Sequence, residues 1–354
     1  MSGRLLLYGS TGRIGTMLLD RLLAAGIEPV LAGRDPDRLA GQAQPLDLEY
    51  RAFSLTDRSA TDAALADTEV VLHAAGPFVD TGPPMIDACI RTRTHYLDLA
   101  GEWPVFAEAE RRSPEAVRAG IMLMPGAGFS VVMSDCLLAL VAARTTGAVK
   151  LRLAVSRPDE ISAASVRSMA SLIGPTVLVR EAGALRERAA GVLRHDVDFG
   201  AGLAETTAVC WPDLITAPMT TGIDSVETYA ETDWLQRLAH AASASASRWL
   251  NGRTRALAAG LFPLGLPGRK PAAGFTLVAQ AVDRWRRTSS LSMRTLGGYA
   301  VSAITGETIA RRVLEGDWSP GWRTPAGQFG ADFALGLGCA TLIGRPQLLS
   351  VQGA

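Results

Sequence analysis

Arg4-Leu-Leu-Leu-Tyr-Gly-Ser-Thr-Gly-Arg-Ile-Gly15, followed one helix later by Leu31-Ala-Gly-Arg34, is the stretch whose reading decides the fold. An apolar run of strand length enters a Gly-x-x-Gly-x-x-Gly turn, and beyond it Ile14, Met17, Leu18 and Leu22 recur at helical spacing. Strand, glycine turn and helix in this order predict a dinucleotide-binding opening. Its three glycines have separate tasks: a tight turn, close approach of backbone to the pyrophosphate, and close packing of helix on strand. Gly9, Gly12 and Gly15 fill these places, and the N–H groups at the helix start then face the phosphates. Ser10, Thr11, Arg13 and Ile14 share the turn and are candidate cofactor contacts.

Gly26 is the expected C-cap of this helix, and Ile27 to Ala32 reads as the second strand, with Pro29 tolerated near its start. At the end of such a strand an acid suits the ribose 2′-hydroxyl of NAD, and an arginine suits the 2′-phosphate of NADP. Gly33-Arg34 stands there and predicts NADPH. Asp35 is the counter-reading, because the preference would fade if it faced the ribose instead.

The chain has 354 residues, enough for two domains, and its 35 basic and 35 acidic residues balance. Nothing in that balance calls for nucleic acid as a partner. No basic leader enters a signal-like apolar stretch and no apolar run is long enough to span a bilayer, so a cytoplasmic protein without an integral membrane segment is expected. The 4 cysteines are far apart, and the 4 histidines form no HExxH or clustered Cys/His spacing, so no bound metal is expected. Lys150 and Lys270 are the only lysines, which leaves a Schiff-base mechanism two candidates, neither near the nucleotide motif.

Strand and helix signals alternate to about residue 133 and predict a parallel sheet covered on both faces. Tyr50 to Leu55 is the third strand, ending at Ser54 and Leu55, where the adenine is expected to pass. Glu69 to Ala74 is a buried fourth strand, and its turn, Ala75-Gly76-Pro77, is expected near the nicotinamide ribose. Thr81-Gly-Pro-Pro84 reads as the start of a helix, with proline in the first turn. His95 to Asp98 and Ile121 to Met124 follow as strands, and Ser134 or Asp135 as the cap of the helix that enters a second domain. That domain shows strand signals at 150–155, 180–187, 191–198, 206–211, 225–231, 275–279 and 289–296, which predict a mixed sheet. Residues 240–273 read as a helical pair with a mobile tip, 300–315 as a helix, and the chain from Phe329 onward as a small apolar helix returning to the first domain. The expected fold class is therefore α/β: a Rossmann-type doubly wound parallel sheet over 1–133, with 320–354 returning to it, and a second α/β domain on a mixed sheet over 134–319, for substrate binding and dimerisation.

With these residues in view, the chain resembles the saccharopine dehydrogenase-like NADP-dependent reductases, including the trans-acting enoyl reductase group. The resemblance rests on Gly9 to Gly15 with Ala32-Gly-Arg34, on Ala75-Gly-Pro-Phe78 with Thr81-Gly-Pro-Pro84, on Thr94 to Glu102, and on the region from Ile304 to Ala326. It implies an NADP-binding Rossmann domain, an inserted α/β domain that walls the substrate site and often forms a homodimer interface, and a small-molecule substrate. It leaves the substrate open, since relatives act on C–N bonds of amino acids and on C=C bonds of lipid-like chains.

None of the 5 tyrosines has a lysine four residues later, which excludes the tyrosine–lysine mechanism of short-chain dehydrogenases. In hydride transfer the protein must orient the nicotinamide and supply or accept a proton. Tyr96 and Asp98 share one face of the fifth strand and are the candidate catalytic pair, Tyr96 as proton donor or orienting hydroxyl and Asp98 as its neighbour. The alternative is that Asp98 caps the next helix and Tyr96 packs at the domain junction, while Glu102 binds substrate or holds the loop. His73, inside an apolar strand, reads as a core histidine. Trp249, Leu261, Phe262 and Leu264, within the apolar 250–268 region, admit interdomain packing, a lid, or contact with a membrane surface. The expected function is NADPH-dependent hydride transfer to a polarised C=N or conjugated C=C bond of a small or lipid-like metabolite. The alternatives are a non-catalytic NADP(H)-sensing regulator and a saccharopine-type C–N bond-forming dehydrogenase. The last would gather arginines from Arg152, Arg180, Arg194 and Arg294 around a substrate carboxylate.

Overall fold

The computed structural model describes residues 3–156, 176–232 and 274–349. The helical pair expected over 240–273, with the 250–268 region, lies outside the described residues. The chain divides into two compact units, Met1–Val132 with Gly298–Gly330, and Met133–Gly297 with Ala331–Ala354.

The first unit runs β1 (Leu5–Tyr8), α1 (Arg13–Ala24), β2 (Val30–Gly33), α2 (Pro36–Ala43), β3 (Tyr50–Ala52), α3 (Arg58–Leu65), β4 (Val70–His73), α4 (Phe78–Thr92), β5 (His95–Asp98), α5 (Trp103–Ala119) and β6 (Met122–Met124). Helix α6 (Phe129–Ala143) carries the chain into the second unit, which contains β7 (Ala148–Val155), β8 (Thr176–Glu181), β9 (Ala184–Ala189), β10 (Arg194–Asp198), β11 (Leu203–Ala208), α7 (Asp213–Thr221), β12 (Val226–Glu231), β13 (Thr276–Asp283) and β14 (Thr288–Thr295). The first unit is completed by α8 (Gly298–Leu314), β15 (Gly321–Trp322) and α9 (Pro325–Phe329); α10 (Phe333–Gly336) and β16 (Ala340–Leu349) complete the second.

The first sheet has the order β15-β6-β5-β4-β1-β2-β3, with parallel pairing throughout. Its central strands are apolar on both faces because helices cover both: Leu5, Leu6 and Leu7 are buried, each such side chain contributing about 1.5–3 kcal/mol. Strand order reverses between β1 and β4, and the carboxyl ends of these two strands therefore border a crevice, the place where open α/β sheets bind ligands. Helix α8 lies against α1 at Gly306, where a Cβ would stand 3.0 Å from Leu18 Cδ2, so the absent side chain permits the approach.

The second sheet is mixed, with β7 and β12 parallel and the remaining pairs antiparallel. Four local expectations are corrected. Ser134 and Asp135 do not cap a helix: α6 begins at Phe129 and is apolar all round, so both lie buried mid-helix, with Ser134 Oγ donating to Asp213 Oδ2 at 3.0 Å. The strand read over 180–187 is a hairpin, β8 and β9, turning at Ala182-Gly183. Helix α4 starts at Phe78, one turn before Thr81, so Pro83 and Pro84 sit inside it. The segment returning to the first unit is 298–330, not 320–354: after α9 the chain enters the second unit, where Gly338 and Gly344 at positive φ interrupt any helix and β16 pairs with β14.

Candidate functional site

The glycine turn is built by contacts that leave no room for side chains. Gly9 has φ +89°, and a Cβ there would lie 2.8 Å from Ala75 Cβ and 2.9 Å from Ala75 N, so the ends of β1 and β4 touch through this residue. A Cβ on Gly15 would fall on the Gly9 carbonyl oxygen. Gly12 occupies the N-cap of α1 and offers no side chain to cap it. The helix start thus presents backbone N–H groups and the positive end of its dipole at the crevice. Ser10 is buried, and its hydroxyl has no hydrogen-bond partner among the described residues. Thr11 and Ile14 are part-exposed and Arg13 is exposed, its guanidinium 4.3 Å from the centre of the Tyr299 ring.

Helix α2 holds this turn from the other side. Arg38 Nη2 donates to Thr11 O at 2.9 Å and Gln42 Nε2 to Ser10 O at 3.0 Å. Asp35 is the N-cap of α2, its Oδ1 accepting from Arg38 N at 3.1 Å, whereas Arg34 is exposed next to buried Gly33. The carboxylate that could have read a ribose 2′-hydroxyl is engaged in capping, and the arginine is available. Ser54 and Leu55 follow β3 as part-exposed residues, Ser54 Oγ lying 2.8 Å from Thr56 Oγ1.

At the end of β4, Ala75 is part-exposed, and Gly76 and Pro77 are exposed. Their turn is held from within by Thr81, whose Oγ1 donates to Ala75 O at 2.7 Å and lies 3.0 Å from Pro77 O. Because that hydroxyl proton points at carbonyls, His73 Nε2, 3.0 Å away, is the donor to Thr81 Oγ1, leaving His73 Nδ1 buried without a partner among the described residues. Burial pushes the His73 imidazole down to about 3. Glu102 closes the other side, accepting from Phe78 N at 3.2 Å and Gly101 N at 2.9 Å.

Tyr96 and Asp98 come together as a buried pair: the Tyr96 hydroxyl donates to Asp98 Oδ2 at 2.5 Å, and Asp98 Oδ1 accepts from Ala100 N at 2.8 Å and Gly126 N at 2.7 Å. Both side chains have zero exposure. Burial pushes Asp98 up to about 7 against the opposing hydrogen bonds, and burial beside Asp98 pushes the Tyr96 phenol well up. In this arrangement the pair fixes the turns after β5 and β6.

Arg38, Gln42, Thr81 and Tyr299 escaped the sequence reading in these roles. The four-residue spacing of Arg38 and Gln42 on one helical face was a usable signal; Tyr299 had none, because it joins the turn from a distant segment. Arg152, Arg180, Arg194 and Arg294 do not converge. Strand register puts Arg152 and Arg294 on one sheet face, with Gln280 and Thr276, and Arg180 and Arg194 on the other, with Val226 and Thr207. Among the described residues no helix is long and apolar enough to cross a membrane, and no group of three or more His, Cys, Asp or Glu could hold a metal ion.

Residues 5–124 match the model of the saccharopine dehydrogenase NADP binding domain. This region belongs to that domain family. The sequence resemblance is thus upheld where the glycine turn, the Ala75–Pro77 turn and Tyr96–Asp98 lie. Among curated proteins, the trans-acting enoyl reductases of Mycobacterium tuberculosis and Mycobacterium leprae are each 30% identical over 139 residues, 37% of this chain. The match spans 33% of those relatives' length. Among solved structures, the saccharopine dehydrogenase (L-Glu forming) of Saccharomyces cerevisiae superposes with a TM-score of 0.61 at 16% identity, covering 97% of this chain and 100% of that one. That likeness establishes a shared fold through both units, including the mixed sheet.

Proposed function

We propose that the chain is an NADPH-dependent reductase that delivers hydride to a polarised C=N or conjugated C=C bond of a small or lipid-like metabolite. One observation carries the cofactor choice: Asp35 caps α2 through Arg38 N while Arg34 stands exposed beside the glycine turn. The buried Ser10 hydroxyl, without a partner among the described residues, and the start of α1, left without a side-chain cap, fit a dinucleotide phosphate group. Bound there, the cofactor supplies the hydride. The protein's own part is binding and orientation. The start of α1 receives the pyrophosphate, Arg34 the 2′-phosphate, Ser54 and Leu55 border the adenine, and Ala75 to Pro77, braced by Thr81 and Glu102, carry the nicotinamide ribose. Tyr96 and Asp98 fix the turns after β5 and β6.

The separation of the four arginines weighs against a carboxylate-clamping amino acid dehydrogenase, and the names of the mycobacterial relatives weigh toward C=C reduction. A cytoplasmic homodimer completes the proposal, tested by light scattering and cell fractionation. The decisive assay is NADPH oxidation against enones, imines and 2-oxo acids with amines. Turnover confined to enones or imines supports the reading. Cofactor binding with no turnover would favour the sensor, and turnover confined to oxo acids with amines would favour the C–N dehydrogenase.

A further inference from the structure

The reduction needs a proton as well as a hydride, and the described tyrosines and histidines can be sorted by place and exposure. Tyr96 has zero exposure, with its hydroxyl given to Asp98. Tyr8 is 2% exposed, and its hydroxyl lies 3.3 Å from Phe53 O. His73 is wholly buried behind Thr81. His95 opens β5 at the amino end of the sheet and accepts from Met122 N. Tyr50 opens β3, again at the amino end. Tyr229 and His195 belong to the second unit.

Tyr299 differs from all of these. It lies in the first turn of α8, is part-exposed, and its hydroxyl has no hydrogen-bond partner among the described residues. The same turn of α8 is anchored at two points of the ligand-binding rim. Tyr299 stacks under Arg13 at the glycine turn, and Ser302, three residues on, accepts from Phe129 N at 3.0 Å just after β6. A Cβ on Gly128 would meet Ser302 Oγ at 3.0 Å and Leu99 Cδ2 at 3.3 Å, so this turn also runs beside the loop after β5. A residue placed between the start of α1 and the ends of β5 and β6 borders the path from pyrophosphate to nicotinamide.

We infer that the Tyr299 hydroxyl is the proton donor of the reduction, and that its ring is the platform that aims Arg13 at the pyrophosphate. The inference rests on the reductase reading and assigns its missing acid. Hydride from NADPH forms the new C–H bond at the electrophilic carbon, and the π pair of C=C or C=N moves to the far atom. The Tyr299 O–H bond breaks as its proton bonds to that atom; water then returns a proton to the phenolate, leaving NADP⁺ and the saturated product.

Tyr299→Phe and Tyr299→Leu separate the two roles, with NADPH affinity read by fluorescence titration and turnover by NADPH oxidation on the same preparations. Phe keeps the ring and loses the hydroxyl. It should hold the NADPH Kd within about two-fold and lower turnover roughly 10²- to 10⁴-fold. Leu removes the platform and should also weaken NADPH binding roughly two- to five-fold. Wild-type turnover in the Phe variant overturns the donor role, and an unchanged Kd in the Leu variant overturns the placement beside the bound dinucleotide. If wild-type protein binds NADPH but reduces none of the acceptors, the reductase reading fails and the donor role with it. An active wild type with an equally active Phe variant rejects the donor role alone.

Discussion

Replacing Thr81 with valine keeps the volume of a side chain that braces the Ala75–Pro77 turn and removes its one hydroxyl. That hydroxyl accepts from His73 Nε2 at 3.0 Å and donates to Ala75 O at 2.7 Å. Without it, His73 retains an N–H that has no acceptor, in a side chain with zero exposure whose Nδ1 is already unpartnered. Stranding a buried donor costs about 1–3 kcal/mol and losing the bond to Ala75 O about 1 kcal/mol more, so about 2–4 kcal/mol is expected. The assay is urea unfolding of wild type, Thr81→Val and Thr81→Ser, the serine serving as the control that keeps the hydroxyl. A functional arm follows from the position of the turn. NADPH should bind the valine variant more weakly, while 2′,5′-ADP, which reaches only the glycine turn and Arg34, should bind as before. Equal stability of the valine and serine variants would refute the hydrogen-bond argument. Equal weakening of both ligands would refute the assignment of this turn to the nicotinamide half.

Other expectations concern single groups. Asp35→Ala should cost about 1 kcal/mol in thermal or urea unfolding through loss of the α2 cap, without moving the NADPH-to-NADH preference, because the carboxylate is engaged by Arg38 N. Tyr96→Phe removes the hydroxyl that donates to Asp98 Oδ2 and should destabilise the protein by about 1–3 kcal/mol in the same assay. His73 is neutral in the fold down to about pH 3, while an unfolded histidine takes a proton below about 6.5. Its contribution is therefore fully present above pH 6.5 and is lost progressively as pH falls toward 3. Stability measured across that window should fall more steeply in wild type than in His73→Gln, which keeps a donor to Thr81 but cannot titrate.

The first unit was legible because its signals are local. The glycine turn, the apolar strands β1, β2 and β4, and the alternation of strand with helix each lie within a few neighbouring residues, and the switch point follows from that order. Arg34 could be named as the 2′-phosphate candidate, but the bond from Arg38 N to Asp35, which weighs against the competing carboxylate, could not be read from the sequence. Position and side chain type could not say whether Tyr96 is open or sealed, because α4 reaches it from elsewhere in the chain, a Cβ on Gly82 standing 3.5 Å from its hydroxyl. Tyr299 and the true returning segment were hidden for the opposite reason: they return to the first unit only after the stretch Met133–Gly297 of the second. The closing strand β16 was misread as helix because small apolar residues carry little periodicity, and its partner β14 decides its form.

The measurement that bears most directly on the central claim is titration of the purified protein with NADPH and NADH, repeated on Arg34→Ala. Loss of a charge-assisted phosphate contact corresponds to about 10- to 100-fold in affinity. The account predicts that wild type prefers NADPH by at least about ten-fold and that Arg34→Ala loses this preference while its NADH affinity stays the same. Equal or tighter binding of NADH by wild type, or a preference that survives in Arg34→Ala, would contradict it.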